Sequence, residues 1–468
     1  LMSYGLVPIA DKADLLARYE FLQKFLKESR QFGAQRRASE ALAVATALKN
    51  MATTAGYADV TRLTLAMESE LIKTYQPYFE EHEEEGVTLQ LSTDEYGKTE
   101  IICKKGGKAQ KTVPSKLKKQ EYYLKLKEIE KKLKDQHSRT VKMFEQSMEE
   151  QELYRYQELN LLCENPVIEP VIRSLVFITG EENPVHGWMM GEGLMDCFGE
   201  IHPLAGEAQI RIAHPYDLYR SGCWHEYQKM IFAGAREGGI KKQPFKQVFR
   251  ELYVKLPEEI QPSKTVACLK RRRWIADYEE GLQKVYYKEN LIAHIYALAD
   301  WFSPSDIEAP TLEWVEFCDR KTFNRVKIQE IPDIVYSEVM RDVDLAVSVA
   351  HAGGVDPETS HSTMEMRRAV LEFSLPLFKL TNVRLEGSHA FVEGARGSYS
   401  IHLGSGVIHQ AGGHQINVLP VHSQGRGKLF LPFLDEDPKT AEIISKVVMF
   451  AEDKKMKDPY ILDQIVAL

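Results

Sequence analysis

Cysteine is scarce in this sequence, with six among 468 residues and no Cys-x-x-Cys pair. Cys103, Cys163, Cys197, Cys223, Cys268 and Cys318 are scattered along the chain. That excludes a disulfide-stapled scaffold and points to free thiols in a reducing, cytoplasmic setting. No apolar run reaches about 18 residues, so no membrane span or membrane partner is expected. No secretory signal opens the chain, and its first residue is Leu1 rather than an initiator Met, which suggests a piece of a longer protein. A positive excess is also lacking. The net charge is −8 and the isoelectric point about 6.0, which disfavours nonspecific binding to nucleic acid or membranes. With 44% apolar and 27% charged residues, the chain is neither disordered, collagen-like nor a membrane bundle. Its length fits about three domains of roughly 150 residues.

The periodicities predict an α+β protein. Leu15, Tyr19, Leu22 and Leu26 recur at helical spacing from Ala13 to Gln31. Two more helices follow, from about Arg37 to Thr53 and from just after Tyr57-Ala58-Asp59-Val60 to about Tyr78. Val87–Ser92 and Thr99–Lys104 read as strands joined by a turn at Asp94–Gly97. A long charged helix is expected over Ser115–Glu150, packing by a narrow stripe of Tyr123, Leu126, Ile129, Leu133 and Val141. Two short helices in Leu153–Pro170 precede strands at Ser174–Thr179 and Ala208–Ile212. Glu226–Phe232 and Phe245–Tyr253 read as helical, the second with Pro244 at its start, while Leu282–Ala297 carries both helix and strand signals. Ile334–Ala350 is a helix stopped by Gly353-Gly354, and the capping pattern Ser362-Thr363-Met364-Glu365 opens another to Lys379. A β meander follows: His389–Glu393, Ser398–Leu403, Val407–His409, Gln415–Val421 and Lys428–Phe433. Asp437-Pro438 then starts a last helix. The organisation read from this is a helical region over 1–80, a hairpin and charged helix over 81–152, a mixed α/β middle over 153–330 and a C-terminal α+β domain over 331–468.

Several residue groups could carry chemistry. Lys104 to Lys134 holds twelve lysines against three glutamates, a local charge of +9 that leaves −17 on the rest. Lys104, Lys105, Lys108, Lys116, Lys118 and Lys119 are the residues a nucleic-acid backbone would meet. The plainer alternative is a solvated helix behind a basic turn. His186, Cys197, His202, His214, Cys223 and His225 concentrate in the middle, but their spacings fit no zinc template, so no metal is assigned. Cys223-Trp224-His225 is no nucleophile–base pair by spacing alone, and no catalytic residue is assigned.

Glu338, Arg341 and Asp342 share a helix face. Two carboxylates there could hold a metal or act as acid and base, but Arg341 between them favours an ion-pair network that docks the helix. His361 stands at a helix start beside Ser362, Thr363 and Arg368, an arrangement that can accept an anion. In His402-Leu403-Gly404-Ser405-Gly406 a strand runs into a turn whose backbone donors suit a phosphate or ribose. It is neither a nucleophile elbow nor a phosphate-binding loop, and a tight β turn is the alternative. The ligand-binding candidates are therefore His402, Gly404, Ser405, Gly406, Arg341, Asp342 and His361, with no cofactor expected.

Blocks of residues in fixed order carry a resemblance. They are Gly56–Thr64 (Gly-Tyr-Ala-Asp-Val-Thr-Arg-Leu-Thr), Gly106-Gly107-Lys108 with Val113-Pro114, and Arg211-Ile212-Ala213-His214-Pro215. Gln243–Glu251 (Gln-Pro-Phe-Lys-Gln-Val-Phe-Arg-Glu), Ser337–Leu345, Ile401–Gly406, and Lys446-Val447-Val448 with Asp458-Pro459 follow. From Gly56 to the C-terminus the chain resembles a bacterial domain of unknown function, family number 4132. That domain forms the large C-terminal part of proteins similar to the molybdate-metabolism regulator, often behind a WGR domain. No WGR segment is present here. The resemblance implies no reaction and no catalytic residues. It implies protein partners of the MoxR-type AAA+ ATPase or von Willebrand A-type class. The expected function is a non-enzymatic interaction or adaptor module, with a nucleotide- or phosphate-binding domain at the His402–Gly406 turn as the alternative.

Overall fold

Three helices open the chain in the computed structural model: α1 (Lys12–Glu28), α2 (Ala34–Thr54) and α3 (Val60–Tyr75). Asp11 and Asp59 cap α1 and α3 by accepting from the Asp14 and Arg62 amides at 2.8 and 2.7 Å. The structure describes residues 1–110, 112–179, 184–237, 242–255, 274–277, 281–298, 311–350, 361–418, 431–433 and 437–465. The chain is α+β and divides into two compact units, Leu1–Ser147 with Glu152–Ile212, and Met148–Gln151 with Ala213–Leu468. Among the described residues no helix is long and apolar enough to cross a membrane.

In the first unit, Leu15, Tyr19 and Leu22 of α1 bury against Val44 and Met51 of α2 and Leu63 and Met67 of α3. The expected hairpin is present within a four-stranded antiparallel sheet of β1 (His82–Glu84), β2 (Val87–Thr93), β3 (Thr99–Lys105) and β4 (Lys108–Ala109), in that order. Its turn needs glycine: Gly97 has φ +82°, and a Cβ there would lie 2.5 Å from the Val167 carbonyl. The charged helix α4 (Glu121–Glu149) buries the stripe Tyr123, Leu126, Ile129 and Leu133. Residues expected to begin it form a 3-10 turn, Leu117–Lys119, instead.

Next come β5 (Tyr154–Arg155), α5 (Tyr156–Leu162), α6 (Glu169–Ser174), β6 (Val176–Thr179), β7 (Val185–Met189), β8 (Gly193–Met195), β9 (Ile201–Pro203) and β10 (Gln209–Ile212). The strands form one antiparallel sheet in the order β5-β10-β6-β7-β8-β9.

In the second unit, α7 (Pro215–Arg220) and α8 (Trp224–Glu237) lead to a buried stretch, residues 242–255. The helix expected over Phe245–Tyr253 does not form. Polar side chains from outside the stretch take backbone groups that a helix would pair internally. Gln243 Oε1 accepts from the Val248 amide at 2.9 Å, and Ser337 Oγ accepts from the Tyr253 amide at 3.1 Å. The Gln243 amide donates to the Pro432 carbonyl at 3.0 Å, in an isolated parallel bridge to Phe433.

The ambiguous 282–297 stretch is two strands. They belong to the antiparallel sheet β11 (Ile275–Asp277), β12 (Gly281–Tyr286), β13 (Leu291–Leu298) and β14 (Thr311–Asp319). Helix α9 (Asp333–Ala350) packs Val335, Val339 and Val343 against its Leu282, Ala293 and Ile295. Helix α10 (His361–Ser374) ends earlier than expected, just before Leu375-Pro376. Ser362 does not cap it: its hydroxyl donates to the Leu252 carbonyl.

The meander is an antiparallel sheet of β15 (Val383–Glu386), β16 (His389–Glu393), β17 (Ser398–His402), β18 (Ile408–Gln410) and β19 (His414–Ile416). Helix α11 (Pro438–Ala451) contributes Ile443, Ile444, Val447 and Phe450 to the core, and Phe450 meets Tyr399 of β17 at 4.7 Å between ring centroids. A short α12 (Pro459–Leu462) follows. Gly353-Gly354, Cys268, residues 428–430 of the expected fifth meander strand and the last residues of the fourth lie outside the described residues.

Candidate functional site

The densest polar chemistry is a buried ion-pair network in the second unit, built by residues 242–255 and α9. Glu338 of α9 is its first hub. Arg250 Nε and Nη2 donate to its two carboxylate oxygens, each at 2.7 Å. His214 adds a third bond. The Tyr216 amide donates to His214 Nδ1 at 3.1 Å, so the ring proton sits on Nε2 and donates to Glu338 at 2.9 Å. Burial raises the Glu338 pKa, but Arg250 and His214 outweigh it and hold the carboxyl well below the ordinary range. Arg250 also reaches Glu149, at the end of α4, at 2.8 Å. Glu149 stands 4.0 Å from Lys284 of β12, which pairs with Asp342 of α9 at 2.9 Å. Trp274 Nε1 donates to the same Asp342 oxygen at 3.0 Å.

Glu251 is the second hub. Arg341 Nε donates to it at 2.8 Å and Lys246 pairs with it at 3.0 Å. Burial pushes its pKa up, and the Lys246 and Arg341 charges bring it below the ordinary carboxylate range. Lys246 continues to Asp437 Oδ2 at 2.6 Å, while Asp437 Oδ1 accepts from the Thr440 amide as the expected cap of α11. Arg367 of α10 donates to Thr440 Oγ1 at 3.1 Å, to the Leu403 carbonyl at 2.9 Å and to the Gly404 carbonyl at 2.8 Å.

The ligand candidates fall at several places in this frame. Arg341 and Asp342 are buried in ion pairs, as the docking alternative for their helix face expects. Arg341 Nη1 is buried without a hydrogen-bond partner among the described residues. His402 and Ser405 meet in one turn: Ser405 Oγ is 2.9 Å from His402 Nδ1, and the Ser405 amide donates to the same nitrogen at 3.1 Å. The Gly406 amide donates to the His402 carbonyl at 2.8 Å. The turn thus uses those two donors itself, while the Gly404 and Gly406 carbonyls accept from Arg367 and Lys446. His361 is the first residue of α10. Two shallow pockets have volumes of about 260 and 330 Å³, and among the described residues Arg341, Asp342, His402, Gly404, Ser405 and Gly406 line neither.

The lysines divide into two groups. On α4, Lys125, Lys127, Lys132 and Lys134 pair with Glu128, Glu130 and Glu20. Ahead of the helix, Lys104 pairs with Glu81, whereas Lys105, Lys108, Lys116, Lys118 and Lys119 are exposed.

Sequence reasoning places Glu338, Arg341 and Asp342 on one face but misses their partners Arg250, Glu251 and Lys284 and the residues beyond them, Glu149, Lys246 and Arg367. The one available signal is the density of polar residues among aromatics in Gln243–Glu251.

Comparison with known protein families gives three matches. Residues 107–273 match a domain of unknown function (DUF4132), residues 1–67 a family of unknown function (DUF5724) and residues 364–465 a further domain of unknown function (DUF7737). The block Gly56–Thr64 and the blocks from Ile401 onward therefore fall in matches other than DUF4132, and Ser337–Leu345 falls outside all three. No curated protein and no solved structure matches the chain.

Proposed function

We propose that this chain is a non-catalytic interaction or adaptor module of a larger bacterial cytoplasmic protein of the WGR-associated, molybdate-regulator-like kind. Its partner would be a MoxR-type AAA+ ATPase or a von Willebrand A-type protein, as the family resemblance implies. The observation that carries this reading is the use of the buried charges. Glu338, Arg250, Asp342, Lys284, Glu251 and Lys246 each bond an opposite charge within the fold. Such a network fixes the conformation of residues 242–255 and the helices they touch. Co-elution on size-exclusion chromatography with a MoxR-type ATPase from the same genome, and a change in that ATPase's turnover, are the expected results. Independent elution together with an unchanged ATPase rate removes the reading.

Arg341 Nη1, buried without a partner among the described residues, favours a second reading, a nucleotide- or phosphate-binding domain. Titration with inorganic phosphate and ATP tests it. Saturable binding that Arg341→Lys weakens supports a ligand role, and a flat isotherm ends it.

A further inference from the structure

The β8–β9 hairpin of the first unit carries three metal-ligating side chains that the buried network does not use. Asp196, Glu200 and His202 each offer one ligand atom, and the three atoms all lie within 4.8 Å of one another. Strand pairing, rather than a tight sequence motif, brings them together: Leu194 faces His202 across the hairpin, and the Asp196 amide donates to the Glu200 carbonyl at 2.9 Å. Sequence spacing sets His202 beside distant cysteines and histidines and leaves out the two carboxylates, so it assigns no metal.

The Asp196 carboxylate is held in place. Its Oδ1 accepts from the Phe198 and Glu200 amides at 2.8 and 3.0 Å. That leaves Oδ2 directed at His202 Nε2, 2.9 Å away. A ligand carboxylate oriented by outer hydrogen bonds is a recurrent arrangement in metal sites. Asp196 is largely covered, His202 is partly covered, and Glu200 is exposed.

We infer that this hairpin binds a divalent first-row transition ion of the zinc class through Asp196 Oδ2, the Glu200 carboxylate and His202 Nε2. Water fills the remaining position. An imidazole ligand argues against calcium and magnesium, which prefer all-oxygen shells. Three protein ligands with an open fourth position match the general pattern of exchangeable rather than closed structural zinc sites. The ion takes His202 Nε2 as the unprotonated ring nitrogen, with the remaining ring proton on Nδ1.

Calorimetric titration of the full chain with Zn²⁺ tests this, with Ca²⁺ titrated in parallel. The expected result is a zinc site that calcium does not fill and that His202→Gln and Asp196→Asn each weaken at least about tenfold. Asp196→Asn keeps an oxygen for the Phe198 and Glu200 amides, so the turn is retained while the ligand charge is lost. His202→Gln alters no contact of the turn's backbone and serves if Asp196→Asn fails to fold. No zinc uptake by the wild type overturns the inference. So do superimposable zinc isotherms for wild type and His202→Gln, which would assign the uptake to the free thiols.

Discussion

Arg250 and Glu338 meet fork to fork, two hydrogen bonds of 2.7 Å joining side chains that are 0% and 1% exposed. This bidentate geometry is the strongest form an ion pair takes in a protein. Its net contribution is smaller than its Coulomb energy, because both ions have been taken out of water. Removing one partner is another matter: the survivor is left as a buried, undercompensated charge.

Glu338→Ala is therefore expected to destabilise the chain by about 3–5 kcal/mol. Replacing both partners, as Arg250→Met with Glu338→Leu, should cost less than Arg250→Met alone. Urea unfolding followed by tryptophan fluorescence measures the three variants. A double variant that is the least stable of the three contradicts the pairing.

The Glu251 hub predicts a pH dependence. Its folded pKa lies below the ordinary 4.5, held there against burial by Lys246 and Arg341. A depressed carboxylate contributes stability that is present above its unfolded pKa and is lost as pH falls toward the folded one. Glu338 and Asp437 shift in the same direction. The melting temperature should therefore fall as pH drops below about 4.5. Glu251→Gln, though less stable at neutral pH, should show a shallower fall over that window. Parallel pH profiles for wild type and variant would remove Glu251 from the acid transition.

These hubs also show what a sequence can reveal. Where one face is apolar and periodic, as with Leu15, Tyr19 and Leu22 or Ile443, Ile444 and Val447, burial enforces the helix and the reading succeeds. The grouping of Glu338, Arg341 and Asp342 is legible for the same reason. Their partners are not, because Arg250 and Glu251 sit in irregular backbone about ninety residues away, and only the fold brings them to α9. Phe245–Tyr253 reads as a helix because its periodicity resembles one. Gln243 and Ser337 side chains bonding its amides decide otherwise, and no local pattern announces them. The Asp196–Glu200–His202 cluster escapes any search for metal ligands that come as cysteine or histidine pairs.

Arg367 ties the His402–Gly406 turn to α11 through two carbonyls and Thr440. Arg367→Ala leaves the Leu403 and Gly404 carbonyls without this donor, at about 1–3 kcal/mol for each buried group left unsatisfied. Lysine has no planar fork and should recover only part of the loss. Hydrogen exchange at the Ser405 and Gly406 amides should quicken in the alanine variant and less so in the lysine variant. Unchanged exchange in both would show that the turn stands without Arg367.

Gly193 sets the approach of β8 to β9. A Cβ at this position would lie 2.0 Å from the His202 carbonyl, a distance that neither backbone can accommodate without moving. Gly193→Ala should therefore separate the strands at the register pair Gly193–Pro203 and cost about 1–3 kcal/mol, as overpacking does elsewhere. At Gly191, two residues earlier, an added Cβ would meet nothing within 4 Å among the described residues, so Gly191→Ala should leave the melting midpoint in place. The comparison separates steric approach from glycine's general conformational freedom, because both positions lose the same entropy in the unfolded chain. Limited proteolysis near Phe198 should accelerate in Gly193→Ala alone, since that residue stands exposed at the hairpin tip. Equal behaviour of the two variants would mean that β8 and β9 do not hold the register that places His202 opposite Leu194.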